Sequence, residues 1–236
     1  MNPITTSQAL EELVLHIGVL PYFRNRITGF SIEEIVPEPI LWDLADGPWI
    51  WKGTLVRNWR VAYGKFFNRK AGYIAIDLLP DFINLRRSQY DLTANPIEAH
   101  ILDVLREHES LLSRELKDLS GFSRPRNTRR GLSPIERMIE SRASKGARDL
   151  GFDTHIMRLQ MAGYVVIADF EYKTDRHGDT YGWGVARYTT PEALYGDDIC
   201  DVQGRSAEES YLRFHSRIKA ALPHTDDRLI HRLLNL

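Results

Sequence analysis

Cysteine is almost absent. Cys200 stands alone in 236 residues, which excludes an internal disulfide framework. There is no His-Glu-x-x-His, no Cys pair and no Gly-x-Ser-x-Gly, and the eight histidines are scattered, so no metal site is expected. Gly64-Lys65 is not a phosphate loop, since no glycine sits five residues before Gly64 and no Ser or Thr follows Lys65. No apolar run approaches the roughly 20 residues of a membrane span, and the N-terminus lacks a basic-then-apolar signal pattern. The net charge is only -1, so no global excess of cations points to nucleic acid. Neither an internal repeat nor a low-complexity tract is visible. What these absences leave is a cytoplasmic protein without membrane, metal or cofactor.

The most organised stretch is Phe152 to Tyr188. Phe152, Ile156, Leu159 and Gly163 share one stripe of a short helix. Tyr164 to Tyr172 is β-branched and aromatic, and reads as a strand. Thr174 to Asp179 is turn chemistry, and Tyr181 to Tyr188 is a second strand. Upstream, Pro96 opens a helical pattern with Ile97, Ile101, Leu102 and Leu105 on one side. Ser113 caps a second helix, with Leu116 and Leu119, that ends at Gly121. Three helices followed by a hairpin is the order of a winged helix, whose third helix offers its outer face to a DNA groove.

The chain therefore reads as an α+β protein in three parts. Residues 1–95 form a small aromatic-rich α+β unit, 96–189 a winged-helix domain with a basic insertion at 122–150, and 190–236 C-terminal helices. In the first part, 5–23 is an amphipathic helix and Ser31 to Glu34 fits a capping box. Trp49 and Trp51 alternate as on a strand. Trp59 to Tyr63 and Tyr73 to Ile76 read as short strands joined by 68–72. In the last part, Thr190-Pro191-Glu192 and Ser206 to Glu209 are helix starts.

Four groups of residues are candidates for function. On the third helix, Thr154, Met157, Arg158 and Met161 face out, and Arg158 is its one reader of bases or phosphates. At the hairpin tip, Lys173, Arg176 and His177 can follow phosphates, though Asp175 and Asp179 weaken the field. The 122–150 insertion holds eight cations, among them Arg124, Arg126, Arg129 and Arg130, against three acids, a net charge of +5. Trp49, Trp51, Lys65, Arg86, Arg87 and Tyr90 mix rings with cations, suited to stacking a base and holding a phosphate. Each group has a plainer reading: a scaffold helix, a solvated tip, a solvated charge run, and tryptophans packed in a core. Asp46 and Asp43 are the carboxylates nearest those rings in sequence.

Pro48-Trp-Ile-Trp-Lys52, Ala62-Tyr-Gly-Lys-Phe-Phe67, Lys70-Ala-Gly-Tyr73, Arg86-Arg87 with Tyr90-Asp91, Leu159-Gln-Met161 and Tyr181-Gly-Trp183 resemble phrases of bacterial proteins related to AlkZ. AlkZ is a winged-helix DNA glycosylase that removes bulky alkylated or crosslinked bases. The resemblance spans most of the chain and implies double-stranded DNA as partner and a glycosylase-like role on damaged bases. AlkZ enzymes resemble one another in a Gln-x-Gln pair that positions water at the sugar. The comparable string here is Gln160-Met161-Ala162, which lacks the second glutamine. The catalytic candidates are Gln160, from that string, and Asp46, from its place near the rings in sequence. The alternatives are a non-catalytic transcriptional regulator and a protein-interaction winged helix.

Overall fold

The computed structural model describes residues 3–122, 133–135, 137–138, 151–177 and 180–234. Helix α1 (Ser7–Ile17) starts at Thr6, whose hydroxyl accepts the Ala9 N–H at 3.2 Å. It ends at Gly18, where φ is +91°, and strand β1 (Val19–Pro21) follows. Two single-turn helices, α2 (Ile32–Ile35) and α3 (Glu38–Leu41), lead to α4 (Pro48–Arg57). Strands β2 (Val61–Phe67) and β3 (Lys70–Ala75) form a hairpin, and α5 (Leu79–Arg87) closes this half.

The second half comprises α6 (Pro96–His108), β4 (Ser110–Leu112), α7 (Ser113–Leu119), α8 (Phe152–Met161), β5 (Val166–Thr174) and β6 (Thr180–Thr189). Three helices complete the chain: α9 (Pro191–Tyr195), α10 (Ala207–Ala221) and α11 (Asp227–Leu233). Ser206 and Glu209 form the expected capping box, and Thr190 caps α9. The architecture is thus mixed helix and sheet.

Each half repeats one plan. A helix, a short strand, further helices and a hairpin follow in that order, and each sheet is antiparallel with its first strand beside its last: β1-β3-β2 and β4-β6-β5. This repeat has no counterpart in sequence periodicity. The halves also grip each other reciprocally. Helix α8 packs on β2, α4 packs on β5, and the edge strands β2 and β5 lie against one another. One apolar core runs from Ile4 through Tyr73 and Ile101 to Leu234. Helix α10 adds cover to the first half, packing on α5 and α1.

Several sequence expectations change. Trp49 and Trp51 lie on helix α4, not on a strand. Gly47 and Pro48 start that helix, and Trp51, Leu55 and Val56 bury one face at helical spacing. The strand read at Trp59 begins at Val61, because Trp59 has φ +58° and breaks the chain direction. The joint between β2 and β3 is Asn68-Arg69 alone. Both have positive φ, +47° and +68°, as a two-residue type I′ hairpin requires. Strand β4, absent from the reading, lies between α6 and α7, and the Leu112 N–H donates to the Glu115 carboxylate at 2.8 Å. Gly163 ends α8 with φ +74°, and a Cβ there would lie 3.3 Å from the Ile83 backbone.

Candidate nucleic-acid interface

Helix α8 does not present the open face that a groove reader needs. Its apolar stripe of Phe152, Ile156 and Leu159 is buried as expected, but His155 and Gln160 are buried too. Thr154, Met157, Arg158 and Met161 are only half-exposed, and Asp153 alone is open. The cause is packing on both sides, with α6 on one and β2 on the other.

Arg158 is turned inward, its Nη1 donating to Glu98 Oε1 at 3.2 Å. The same oxygen lies 2.9 Å from His155 Nδ1, and both Glu98 and His155 are about 2% exposed. Burial pushes the Glu98 carboxyl up, while the bond and charge of His155 and the bond from Arg158 pull it below the ordinary carboxylate range. Tyr90 belongs to this neighbourhood. Its ring packs on Tyr164 at 6.3 Å, and burial, with the Glu98 charge, pushes its hydroxyl up to about 12.

Gln160 has a structural occupation. Strand β2 carries one extra residue between Gly64 and Phe67, so the Lys65 N–H is not paired in the ladder. Gln160 Oε1 accepts that N–H at 3.0 Å, and its Nε2 donates to the Ile156 carbonyl at 3.3 Å. Asp46 is likewise engaged, accepting Trp51 Nε1 at 2.7 Å.

The mixed aromatic and cationic group is split. Trp51 is buried in α4, and Trp49 packs on Tyr22 at 4.9 Å. Lys65 points its side chain to solvent. Arg86 donates to the carbonyls of Met161 at 2.8 Å and Leu234 at 3.1 Å, tying α5 to α8 and the C-terminal helices. Arg87 stacks on Tyr164 at 4.5 Å and pairs with Glu192 at 2.7 Å. Lys173, Arg176 and His177 are exposed near the second hairpin tip, where Arg176 Nε donates to His177 Nε2 at 3.0 Å. Arg124, Arg126, Arg129 and Arg130 lie outside the described residues, as does most of the 122–150 insertion.

A different cluster emerges at the other end of β2. Where β1, the β2–β3 hairpin and α11 converge there is a cavity of about 610 Å³. Arg24, Arg26, Lys70 and Arg232 line it, with no carboxylate among the described residues of the lining. Its floor is apolar, made of Pro21, Phe23, Phe67, Leu229 and Leu233. The four cations are exposed, and none forms an ion pair among the described residues. Lys70 Nζ donates to the Arg24 carbonyl at 3.2 Å, and Asn68 Nδ2 donates to the Arg232 carbonyl at 2.9 Å. These bonds lock the three segments together. Glu33 holds the loop from the side, its carboxylate accepting the Arg24 N–H at 2.8 Å without lining the cavity. The volume lies within the usual range for small-molecule sites, and the four cations give its rim a positive field.

The site is hidden in the sequence because its cations come from three distant segments. The local doublets Arg24-Asn-Arg26 and Asn68-Arg-Lys70 are its only traces.

A family model described as AlkZ related matches residues 4–235. The chain belongs to the AlkZ-related family. No curated protein and no solved structure matches it. Membership suggests a relationship to DNA repair of the glycosylase kind. Among the described residues there is no helix long and apolar enough to cross a membrane, and no group of three or more His, Cys, Asp or Glu placed to hold a metal.

Proposed function

We propose that this AlkZ-related protein binds DNA, holding backbone phosphates in the cleft of Arg24, Arg26, Lys70 and Arg232, in a role related to the repair of damaged bases. The observation that carries this is four cations converging on one cavity, with no acid among the described residues of its lining. Cations so placed attract a polyanion and release its counterions, which makes affinity fall with salt. The exposed side chains of Lys65 and Arg69 extend the positive surface along the first hairpin.

We read each half as a winged helix, supported by the repeated element order and the sheet orders β1-β3-β2 and β4-β6-β5. The boundaries 1–95, 96–189 and 190–236 serve as working units on that reading. In this protein, however, α4 and α8, the helices that precede the two hairpins, serve chiefly to join the halves. That arrangement favours backbone recognition over a regulator that reads sequence with an exposed helix. Arg158, paired with buried Glu98, is a structural residue on this account. Lys173 and Arg176 remain available as a secondary phosphate contact. Gln160 and Asp46, each committed to a hydrogen bond within the fold, are not assigned a catalytic role.

Fluorescence anisotropy with a labelled duplex tests the reading. Binding should weaken with salt, and the double substitution Arg24→Glu with Arg26→Glu should reduce the salt slope by about 2. A duplex that shows no salt-dependent binding at low ionic strength ends the proposal. Release of free base from an alkylated duplex, measured separately, tests the glycosylase relationship.

A further inference from the structure

Phosphate binding alone does not require the floor that this cleft possesses. Phe23 lines it half-exposed, and its ring is held from behind by Tyr22 at 5.0 Å and Trp49 at 6.4 Å. Trp49 in turn sits 4.6 Å from the Lys52 ammonium. The Phe23 ring is therefore a fixed platform, backed by an aromatic layer and a buried cation. The rim above it carries the four cations. An apolar ring face enclosed by positive charge matches a molecule with a flat apolar face and an anionic edge.

We infer that the cleft takes one unpaired nucleotide, its base stacked on Phe23 and its flanking phosphates held by Arg24, Arg26, Lys70 and Arg232. The inference rests on the DNA-binding reading and narrows it. A base inside an intact duplex has both faces covered by its neighbours, so it cannot offer a face to Phe23, whereas a bulged or single-stranded nucleotide can. Size agrees, since a cavity of about 610 Å³ admits a nucleotide but not a base pair with its backbone. The site recognises by face and charge. Asn25, the one asparagine on the 21–26 segment of the lining, has both amide atoms engaged, Nδ2 donating to the Phe30 carbonyl at 2.7 Å and Oδ1 accepting the Ile27 N–H at 2.8 Å.

The test compares three labelled DNAs of equal length by anisotropy: an intact duplex, the same duplex with one bulged nucleotide, and the single strand. The bulged duplex should bind about tenfold more tightly than the intact one, a ratio of the size that one stacked base confers. Phe23→Ala should remove that advantage while leaving intact-duplex affinity in place. Phe23→Leu, which keeps the bulk and loses the ring, guards against a folding defect and should behave as Phe23→Ala does. Deoxyadenosine monophosphate should displace the bulged duplex at concentrations where inorganic phosphate does not. Equal affinity for bulged and intact duplex, or an equal loss for all three DNAs on substituting Phe23, overturns the inference but leaves DNA binding intact. Absence of binding to all three ends both.

Discussion

In the first half the hairpin turns on two residues, Asn68 and Arg69, and its tip stands beside a cleft closed by α11. In the second half the hairpin is longer, with two further residues inserted on β6 between the partners of Glu171 and Lys173, and its tip mixes Asp175 with Arg176 and His177. The strand that enters each hairpin is bulged where the other half meets it. Gln160 of α8 satisfies the freed Lys65 N–H on β2, and Arg57 of α4 pairs with Asp169 on β5 at 2.8 Å. The same plan thus serves opposite ends. At the centre, the helix before each hairpin covers the other half's edge strand, which would otherwise invite pairing with another chain. At the periphery, the first hairpin gains a third wall from α11 and with it a cavity, while the second has no such wall among the described residues. The difference teaches that topology alone does not place a cavity. What packs over each repeat decides it.

The largest effect should follow from stripping away the cover that α10 gives the first half. Asp81 on α5 is fully buried and ion-paired with Arg205 at 3.0 Å and Arg213 at 2.9 Å, which anchors α10 and the turn before it. Asp81→Ala leaves Arg205 and Arg213, both partly exposed, without their carboxylate and should cost about 3 kcal/mol in urea denaturation. A loss below about 1 kcal/mol would mean that α10 is held by Phe214 and Ile218 without the ion pairs.

The contact between the halves is next. Gln160→Ala leaves the bulge N–H of Lys65 without its acceptor and should cost about 1–3 kcal/mol, with DNA affinity unchanged. The reverse outcome, full stability with lost affinity or activity, would return Gln160 to the functional site.

Much of the second half was legible because its signals are local. Phe152, Ile156 and Leu159 recur at helical spacing, Gly163 stops the helix, and β5 and β6 are long enough to show their character. The repeat was not legible, because β1 and β4 are three residues each, too short for any periodicity. Trp49 and Trp51 imitate a strand only if Gly47-Pro48 is read as a turn rather than a helix start. The covered state of α8 depends on β2, nearly a hundred residues away in sequence. The cleft was illegible for the same reason. Arg24, Lys70 and Arg232 are each an ordinary surface cation until β1, the hairpin and α11 meet.

The two hairpins can be set against each other directly. Arg69 is exposed with φ +68°, a conformation that suits glycine and strains a long side chain. Arg69→Gly should therefore raise stability by about 1 kcal/mol while weakening DNA binding, the pattern of a residue kept for function. Arg176→Ser on the second tip should change both quantities less. Equal loss of affinity from the two substitutions would erase the distinction between the hairpins.

The smallest effect concerns Lys52, which joins the halves without an ion-pair partner among the described residues. It is about 5% exposed, and its ammonium lies 4.6 Å from the Trp49 ring and 4.1 Å from the Phe170 ring. Burial pushes the amine down from the ordinary 10.5 to about 8. Below pH 8 the folded chain carries a charge that burial disfavours. Between pH 8 and 10.5 the folded lysine has released its proton while the unfolded one still holds it, so stability rises with pH through that window. Lys52→Met removes the group, and its Tm relative to the parent should be highest near pH 7 and fall toward pH 10. The rings oppose the trend, since a desolvated cation over an aromatic face gains about 2 kcal/mol, which keeps the net change small. A Tm difference that stays flat from pH 7 to 10 would mean that Trp49 and Phe170 hold the proton as firmly as water does, making Lys52 a cationic clasp between the halves rather than a buried amine.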